Sequence, residues 1–334
     1  MLLLLLSTLL PVVLLAPTAA AAGMGRIFAI ADNGTTNAPN LVEVDLTTWE
    51  LTVGPSLLQY FVFGQDAAVV GGTFWTTAFD DYANYLLGFD TTTRALTTTL
   101  NCSHWPGPEF YFMTDIYPSA GGGLLVVGAY GSASPSLQSL FTVSQLDSPS
   151  PTVAFLGNVS SGGAYSEDGA LDPASGLLFQ IAGQSDGPPI VFGNLTITST
   201  IGQGAPSVVG EFPLGGPFGF PQFDPASGAL FGLQLKQDAQ GYHRSLTFLN
   251  NPASQAWNVS DKGDIGEGFF VVLEDGPKAF DAATGRAFYM VATGPFAEFD
   301  IVALNISTSP PTILETPGLC GFIGYCPQGF AWSP

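Results

Sequence analysis

Charged side chains are scarce in this 334-residue sequence: Asp, Glu, Lys and Arg make up 10% of it, against about 25% in an ordinary globular chain. The shortage falls mainly on one sign, with 7 basic against 27 acidic residues and a formal charge of −20. A chain so poor in cations is not expected to be drawn to nucleic acid or to anionic membrane surfaces. The acidic residues are scattered singly, as on a solvated surface, rather than gathered into a tail. Histidine occurs twice, at His104 and His243, and cysteine three times, with no C-x-x-C pair. That leaves too few ligands for a structural zinc site. No G-x-S-x-G elbow is present, so a serine nucleophile on an α/β sheet has no support. No stretch keeps a capped helical period, which argues against α/β folds.

One long apolar run exists, at the start: "MLLLLLSTLLPVVLLAPTAAAAG". Leu2–Leu15 serves as the apolar core of a signal peptide, and the small residues after it suit cleavage between Ala20 and Gly23. The alternative is an uncleaved anchor from Leu2 to Ala22, just long enough to span a bilayer. On the first reading residues 1–22 are a leader and residues 23–334 form a single, secreted domain. Six N-x-S/T sequons, at Asn33, Asn101, Asn158, Asn194, Asn258 and Asn305, then become glycosylation sites. In an oxidising compartment three cysteines give one disulfide and one spare thiol. Cys320–Cys326, closing a short loop around "GFIGY", is the first choice, and Cys102 with either of them the alternative.

Glycine (41) and proline (26) are abundant, and they punctuate a repeat. "DPASG" begins at Asp172 and Asp224, and "DAATG" at Asp281, spaced by 52 and 57 residues. Looking backwards, Tyr117 and Ala67 take the same place at similar intervals. Each anchor leads into a short apolar, β-branched or aromatic run: "TFWTTAF", "LLVVGAY", "LLFQIAG", "ALFGLQL", "AFYMVAT". Between the anchors lies a second hairpin with an Asp/Asn-Thr-Ser turn, as in "LVEVDLTTWELTVG" and "YLLGFDTTTRALTTTL". Four short antiparallel strands in about fifty residues make a propeller blade. The expected fold is all-β, a six-bladed propeller. Its blades fall near 61–103, 109–160, 162–213, 216–260 and 266–317, with the last formed by 318–334 together with 24–56. Seven blades, dividing the region 184–215, are the alternative.

At this level the chain resembles six-bladed propellers of the lactonase, NHL-repeat and YWTD types over its whole mature length. The resemblance implies the architecture and transfers no catalytic residue. There is no Y-W-T-D, no S-x-D-x-G-x-T-W box, and the four arginines, Arg26, Arg94, Arg244 and Arg286, form no recognisable carboxylate trap in sequence.

The anchor loops read as turns: Asp accepts backbone N–H bonds, Pro presets φ and Gly supplies a positive φ. Each offers one carboxylate where a metal loop needs several oxygens. Suspicion of chemistry moves upstream, to strands expected to line a central channel: Gln65, Asp115, Glu167, Asp168, Gln222 and Gln328, with Glu274 and Asp275 in the fifth blade. Such oxygens suit Ca2+, which takes six to eight of them; Asp115, Glu167 and Asp168 are the first candidate ligands. Asp261, Asp264 and Glu267, spaced by three in "DKGDIGEG", are a weaker set. Trp105, Phe110, Tyr111 and Trp257 could form a stacking surface for sugar or peptide. Two functions follow. One is a monomeric binding or interaction scaffold for an extracellular protein, glycan or small molecule, and the other a Ca2+-dependent hydrolase of the lactonase or esterase kind.

Overall fold

The computed structural model describes residues 25–33, 38–57, 59–60, 67–80, 83–107, 112–130, 137–160, 165–184, 191–200, 205–214, 216, 218–238, 241–252, 258–265, 269–270, 278–293, 298–314 and 325–333. Residues 1–22, Gln65, Glu267, Glu274, Asp275 and Cys320 lie outside them, as do Phe110, Tyr111 and Trp257.

Three strands open the chain: β1 (Arg26–Asn33), β2 (Ala38–Asp45) and β3 (Leu51–Ser56). Blade 1 is β4 (Ala67–Val70), β5 (Thr73–Phe79), β6 (Asn84–Asp90) and β7 (Leu96–Asn101). Blade 2 is β8 (Phe112–Ser119), β9 (Gly123–Tyr130), β10 (Leu137–Ser144) and β11 (Thr152–Ser160). Blade 3 is β12 (Tyr165–Asp172), β13 (Leu177–Gln184), β14 (Val191–Ser199) and β15 (Ser207–Pro213). Blade 4 is β16 (Phe218–Asp224), β17 (Ala229–Asp238), β18 (Gly241–Asn250) and β19 (Asn258–Asp264). In blade 5 the inner strand comes in two pieces, β20 (Phe269–Phe270) and β21 (Lys278–Asp281), both paired with β22 (Arg286–Thr293). β23 (Glu298–Asn305) and β24 (Thr312–Ile313) complete it. The last strand, β25 (Tyr325–Ser333), pairs antiparallel with β1 and gives blade 6 its inner strand, in the order β25-β1-β2-β3.

The result is six antiparallel sheets. Their inner strands touch in the closed order β4, β8, β12, β16, β21, β25 and back to β4. The seven-bladed alternative is thereby corrected. β14 and β15, which occupy the region it divided, pair with each other as the outer half of blade 3.

Second and third strands are sandwiched between neighbouring blades and carry solid apolar runs, such as the fully buried Leu124–Val127 of β9. Outer strands are wetter, and β7 alternates between exposed and half-buried positions. Six apolar clusters result, each drawn from two adjacent blades. A pairing rule recurs in these seams. The residue two places after the first hairpin of one blade meets the residue just before the last inner-strand position of the next. Phe179 with Phe223 and Phe231 with Phe280 are in ring contact, and Phe28 with Val69, Leu125 with Leu171, and Phe288 with Trp332 share a cluster at the same positions.

Candidate functional site

The anchor aspartates are occupied by their own turns. Asp172 Oδ1 accepts the Ala174 N–H at 2.9 Å, its Oδ2 accepts the Ser175 hydroxyl, and its carbonyl accepts the Gly176 N–H at 2.8 Å. Asp224 and Asp281 repeat the pattern with Ala226, Ser227 and Gly228, and with Ala283, Thr284 and Gly285. The closing glycines sit at φ +65°, +67° and +67°, where an L side chain is strained. In the second hairpins Asp45 and Asp90 do similar work. Backbone N–H bonds, from Thr47 to Asp45 and from Thr93 to Asp90 above all, hold both carboxyls below the ordinary carboxylate range.

Blades 1 and 2 depart from the sequence alignment, which placed their anchors at Ala67 and Tyr117. Their first hairpins have two and three residues instead of four, so the true equivalents of Asp172 are Val70, paired with Thr73, and Ser119, paired with Gly123. Re-registered in this way, Asp115 and Asp168 both stand four residues before the hairpin. In each case one extra residue, Thr114 or Glu167, bulges out immediately upstream. β25 carries the same bulge at Gln328. Phe220 takes the equivalent place in blade 4, at φ +54° and edge-on to Tyr289 of blade 5. β-bulges re-aim the side chains beside them, and this one recurs at one level of the ring. Asp66, four residues before Val70 in the sequence, lies outside the described residues.

Among the described side chains, Asp115 is 1% exposed and Gln222 5%. Asp115 shares a face of β8 with Tyr117, in the seam between blades 2 and 3, where Gln180 Nε2 donates to Gln138 Oε1 across the blades at 2.9 Å. All four polar side chains there are buried. Gly169 completes the seam, since a Cβ on it would lie 2.5 Å from the Tyr117 hydroxyl oxygen. Gln222 stands in β16, where the Nε2 finds no partner among the described residues. The side chains of Glu167, Asp168 and Gln328 fall outside the description, although their strands are within it. No three Asp, Glu, His or Cys side chains converge as metal ligands among the described residues.

Of the weaker acidic set, Glu267 lies outside the described residues. Asp261 Oδ1 takes the Gly263 N–H at 2.8 Å and its Oδ2 the Lys236 ammonium, while Asp264 is exposed. Partial burial pushes the Asp261 carboxyl up, but the Lys236 and Gly263 bonds outweigh it and hold the group low. His104 is exposed in a single 3-10 turn, and its neighbour Trp105 packs edge-on against Phe141 at 5.3 Å. Cys102 is a free, buried thiol, which removes the pairings that involved it, and burial pushes it well above its ordinary pKa. Cys326 lies in β25 with its side chain outside the description. Of the sequons, Asn101, Asn158 and Asn258 are exposed on the outer strands of blades 1, 2 and 4. Asn194 and Asn305 are half-buried on third strands, and the Asn33 side chain is outside the description.

A recess lies on the hairpin face, between blades 3 and 4. It measures about 430 Å³ and is lined by Asp172, Ser175, Leu177, Phe179, Phe223, Gly228, Asn251 and Pro252.

Similar solved structures share this fold. TolB from Acinetobacter baumannii superposes with a TM-score of 0.56 at 12% identity, over 93% of this chain and 67% of its own. A protein of unknown function from Desulfotomaculum acetoxidans DSM 771 gives 0.56 at 12%, over 92% and 85%. A chain of a nidogen/laminin complex gives 0.56 at 12%, over 93% and 99%. The chain is a six-bladed β-propeller. No family model matches it, and no curated protein does at a significant level. At such identities the likeness speaks for the fold alone.

The propeller also holds a charge cluster that no local pattern announces. Glu43 of β2, almost fully buried, accepts Arg26 Nη1 at 3.3 Å and Arg94 Nε at 2.5 Å. Arg26 also donates to the Thr91 carbonyl at 3.1 Å, so strands of blade 6 are tied to the second hairpin of blade 1. Arg94 takes up its position at φ +61°, the last residue of the Asp90 turn.

Proposed function

We propose that this chain is a secreted, N-glycosylated propeller that serves as a ligand-binding or protein-interaction scaffold. The observation that carries the reading is where the polar groups sit. Asp115, Gln138, Gln180 and Gln222 are all buried, and the Gln180–Gln138 bond ties blades 2 and 3 together. The accessible recess lies elsewhere, on the rigid hairpin face. Three sequon asparagines stand exposed on outer strands, and glycans there would keep a surface poor in charge in solution. Expression in a eukaryotic secretory host tests this. The medium should contain a chain starting between Ala20 and Gly23, and an N-glycosidase should reduce its mass in steps that disappear with Asn101→Gln, Asn158→Gln and Asn258→Gln. A chain retained in the cell with its leader and no glycan would overturn the reading.

A second reading, a Ca2+-dependent hydrolase, draws on the matching bulges that set Asp115 and Asp168 at one level of adjacent blades. The same purified chain separates the two readings. An ion bound to the fold raises its melting point by mass action, so equal melting in EDTA and in excess Ca2+ excludes the second.

A further inference from the structure

The recess between blades 3 and 4 exists because one seam pair is packed differently from its counterparts. Phe179 and Phe223 lie nearly parallel, 12° apart with centroids at 5.7 Å. In the next seam the equivalent Phe231 and Phe280 meet edge-to-face at 4.9 Å. In the preceding seam Leu125 and Leu171 border a cavity of only about 120 Å³. The stacked pair leaves Phe223 half-buried as part of an apolar wall with Leu177 and Pro252. The same recess is lined by three polar side chains, Asp172, Ser175 and Asn251. A concave site of several hundred Å³, mostly apolar with a few fixed polar groups, is the usual form of a small-ligand pocket.

The polar set selects the ligand. The lining contains a carboxylate and no cation, and the chain carries a charge of −20, so an anionic ligand is repelled. Each Asp172 oxygen already accepts one bond from its own turn and keeps room for one more donor. Its charge is thus partly spent, which weakens the pull on a cation and suits a hydroxyl. Asn251 offers a donor and an acceptor on one amide, the complement of a hydroxyl that does both. It is held at φ +54°, a conformation that asparagine tolerates better than most residues. A pyranose ring has one face of C–H bonds for the apolar wall and a rim of hydroxyls for the polar side chains.

We propose that this recess binds a neutral sugar unit, its apolar face against Phe223 and Leu177 and its hydroxyls on Asp172 and Asn251. The proposal rests on the scaffold reading and names that scaffold's ligand class. The test is calorimetric titration of the secreted full-length mature chain with neutral gluco-, galacto- and manno-oligosaccharides, and with a lysine-rich peptide. At least one neutral series should bind. Asn251→Gly, which preserves the backbone conformation, should weaken it about tenfold, the worth of a lost hydrogen bond or two. Asn251→Asp provides a second variant should the first disturb folding, and it too should bind more weakly. Asp172→Asn keeps an acceptor on the turn and should change affinity by no more than about threefold, half the logarithm of that loss. Absence of binding by every neutral oligosaccharide overturns the proposal. Binding that both Asn251 variants leave unchanged places the sugar elsewhere and overturns this site. Binding of the peptide alone, abolished by Asp172→Asn, replaces the sugar with a cationic ligand. None of these outcomes bears on the leader or the glycans, so the scaffold reading fails separately.

Discussion

Gly169 carries no positive φ and no turn, yet it has no room for a side chain. A Cβ there would sit 2.5 Å from the Tyr117 hydroxyl oxygen and 2.8 Å from the Phe179 carbonyl oxygen. Relieving the first contact requires moving a ring, but Tyr117 is buried among Leu125, Leu171 and Leu178, and the second is backbone. Gly169→Ala should therefore destabilise the fold by about 2 kcal/mol, the scale of overpacking in a filled core. Gly228→Ala supplies the contrast. Its φ is +67° and nothing lies within 4 Å of the added carbon, so only backbone strain of about 1 kcal/mol remains. Denaturant midpoints of the two variants check this, and a smaller effect at Gly169 than at Gly228 would contradict the seam packing. The residue scale also marks a limit of legibility. Gly176, Gly228 and Gly285 can be read from sequence because a turn type demands them, whereas Gly169 answers to a tyrosine on another blade and leaves no local trace.

Elements were legible to the extent that their signals were local. Hairpin turns announced themselves through Asp, Pro and Gly, and their spacing revealed blade after blade within a few residues of the observed strands. The register slipped where blades 1 and 2 use Gly71–Gly72 and Ala120–Gly122 in shorter hairpins. A fixed offset from the anchor then set Asp115 level with Gln222, although its structural counterpart is Asp168. Inner-strand bulges were invisible, since an extra residue is defined only against its partner strand. Glu43 is the extreme case, because its partners Arg26 and Arg94 lie 17 and 51 residues away. That cluster binds two elements of blade 6 to the turn joining β6 and β7. Removing Arg94 would leave a buried carboxylate with its stronger partner gone. Both arginines are about a third exposed, so water offsets part of the loss. Arg94→Ala should cost about 2 kcal/mol, below the figure for a fully buried pair. Glu43→Gln, which keeps shape and acceptor, should cost less. Chemical unfolding measures both, and an Arg94→Ala variant as stable as the parent would show that the cluster contributes nothing to closure.

At the scale of the whole molecule the ring is a one-dimensional stack bent into a circle, in which each blade buries its faces only against two neighbours. An open stack ends in two exposed faces, and circular closure abolishes both. Closure here depends on β25, which pairs with β1 from Arg26–Ser333 to Asn33–Tyr325 and touches the inner strands of blades 5 and 1. Ending the chain at residue 324 removes that strand and bares the hydrogen-bonding edge of β1. It also removes Ala331 and Trp332 from the two flanking seams. The loss is cooperative, because blade 6 is then held by its outer strands alone. A truncated chain should melt well below the full one, over a broader transition, and its unpaired β1 edge should promote association through strand pairing. Adding a synthetic peptide of residues 325–334 in trans should restore part of the melting temperature in a concentration-dependent way, as mass action requires for a ligand of the native state. Melting within about 2 °C of the full chain, less than 1 kcal/mol at this size, would mean that the remaining strands hold the ring without closure.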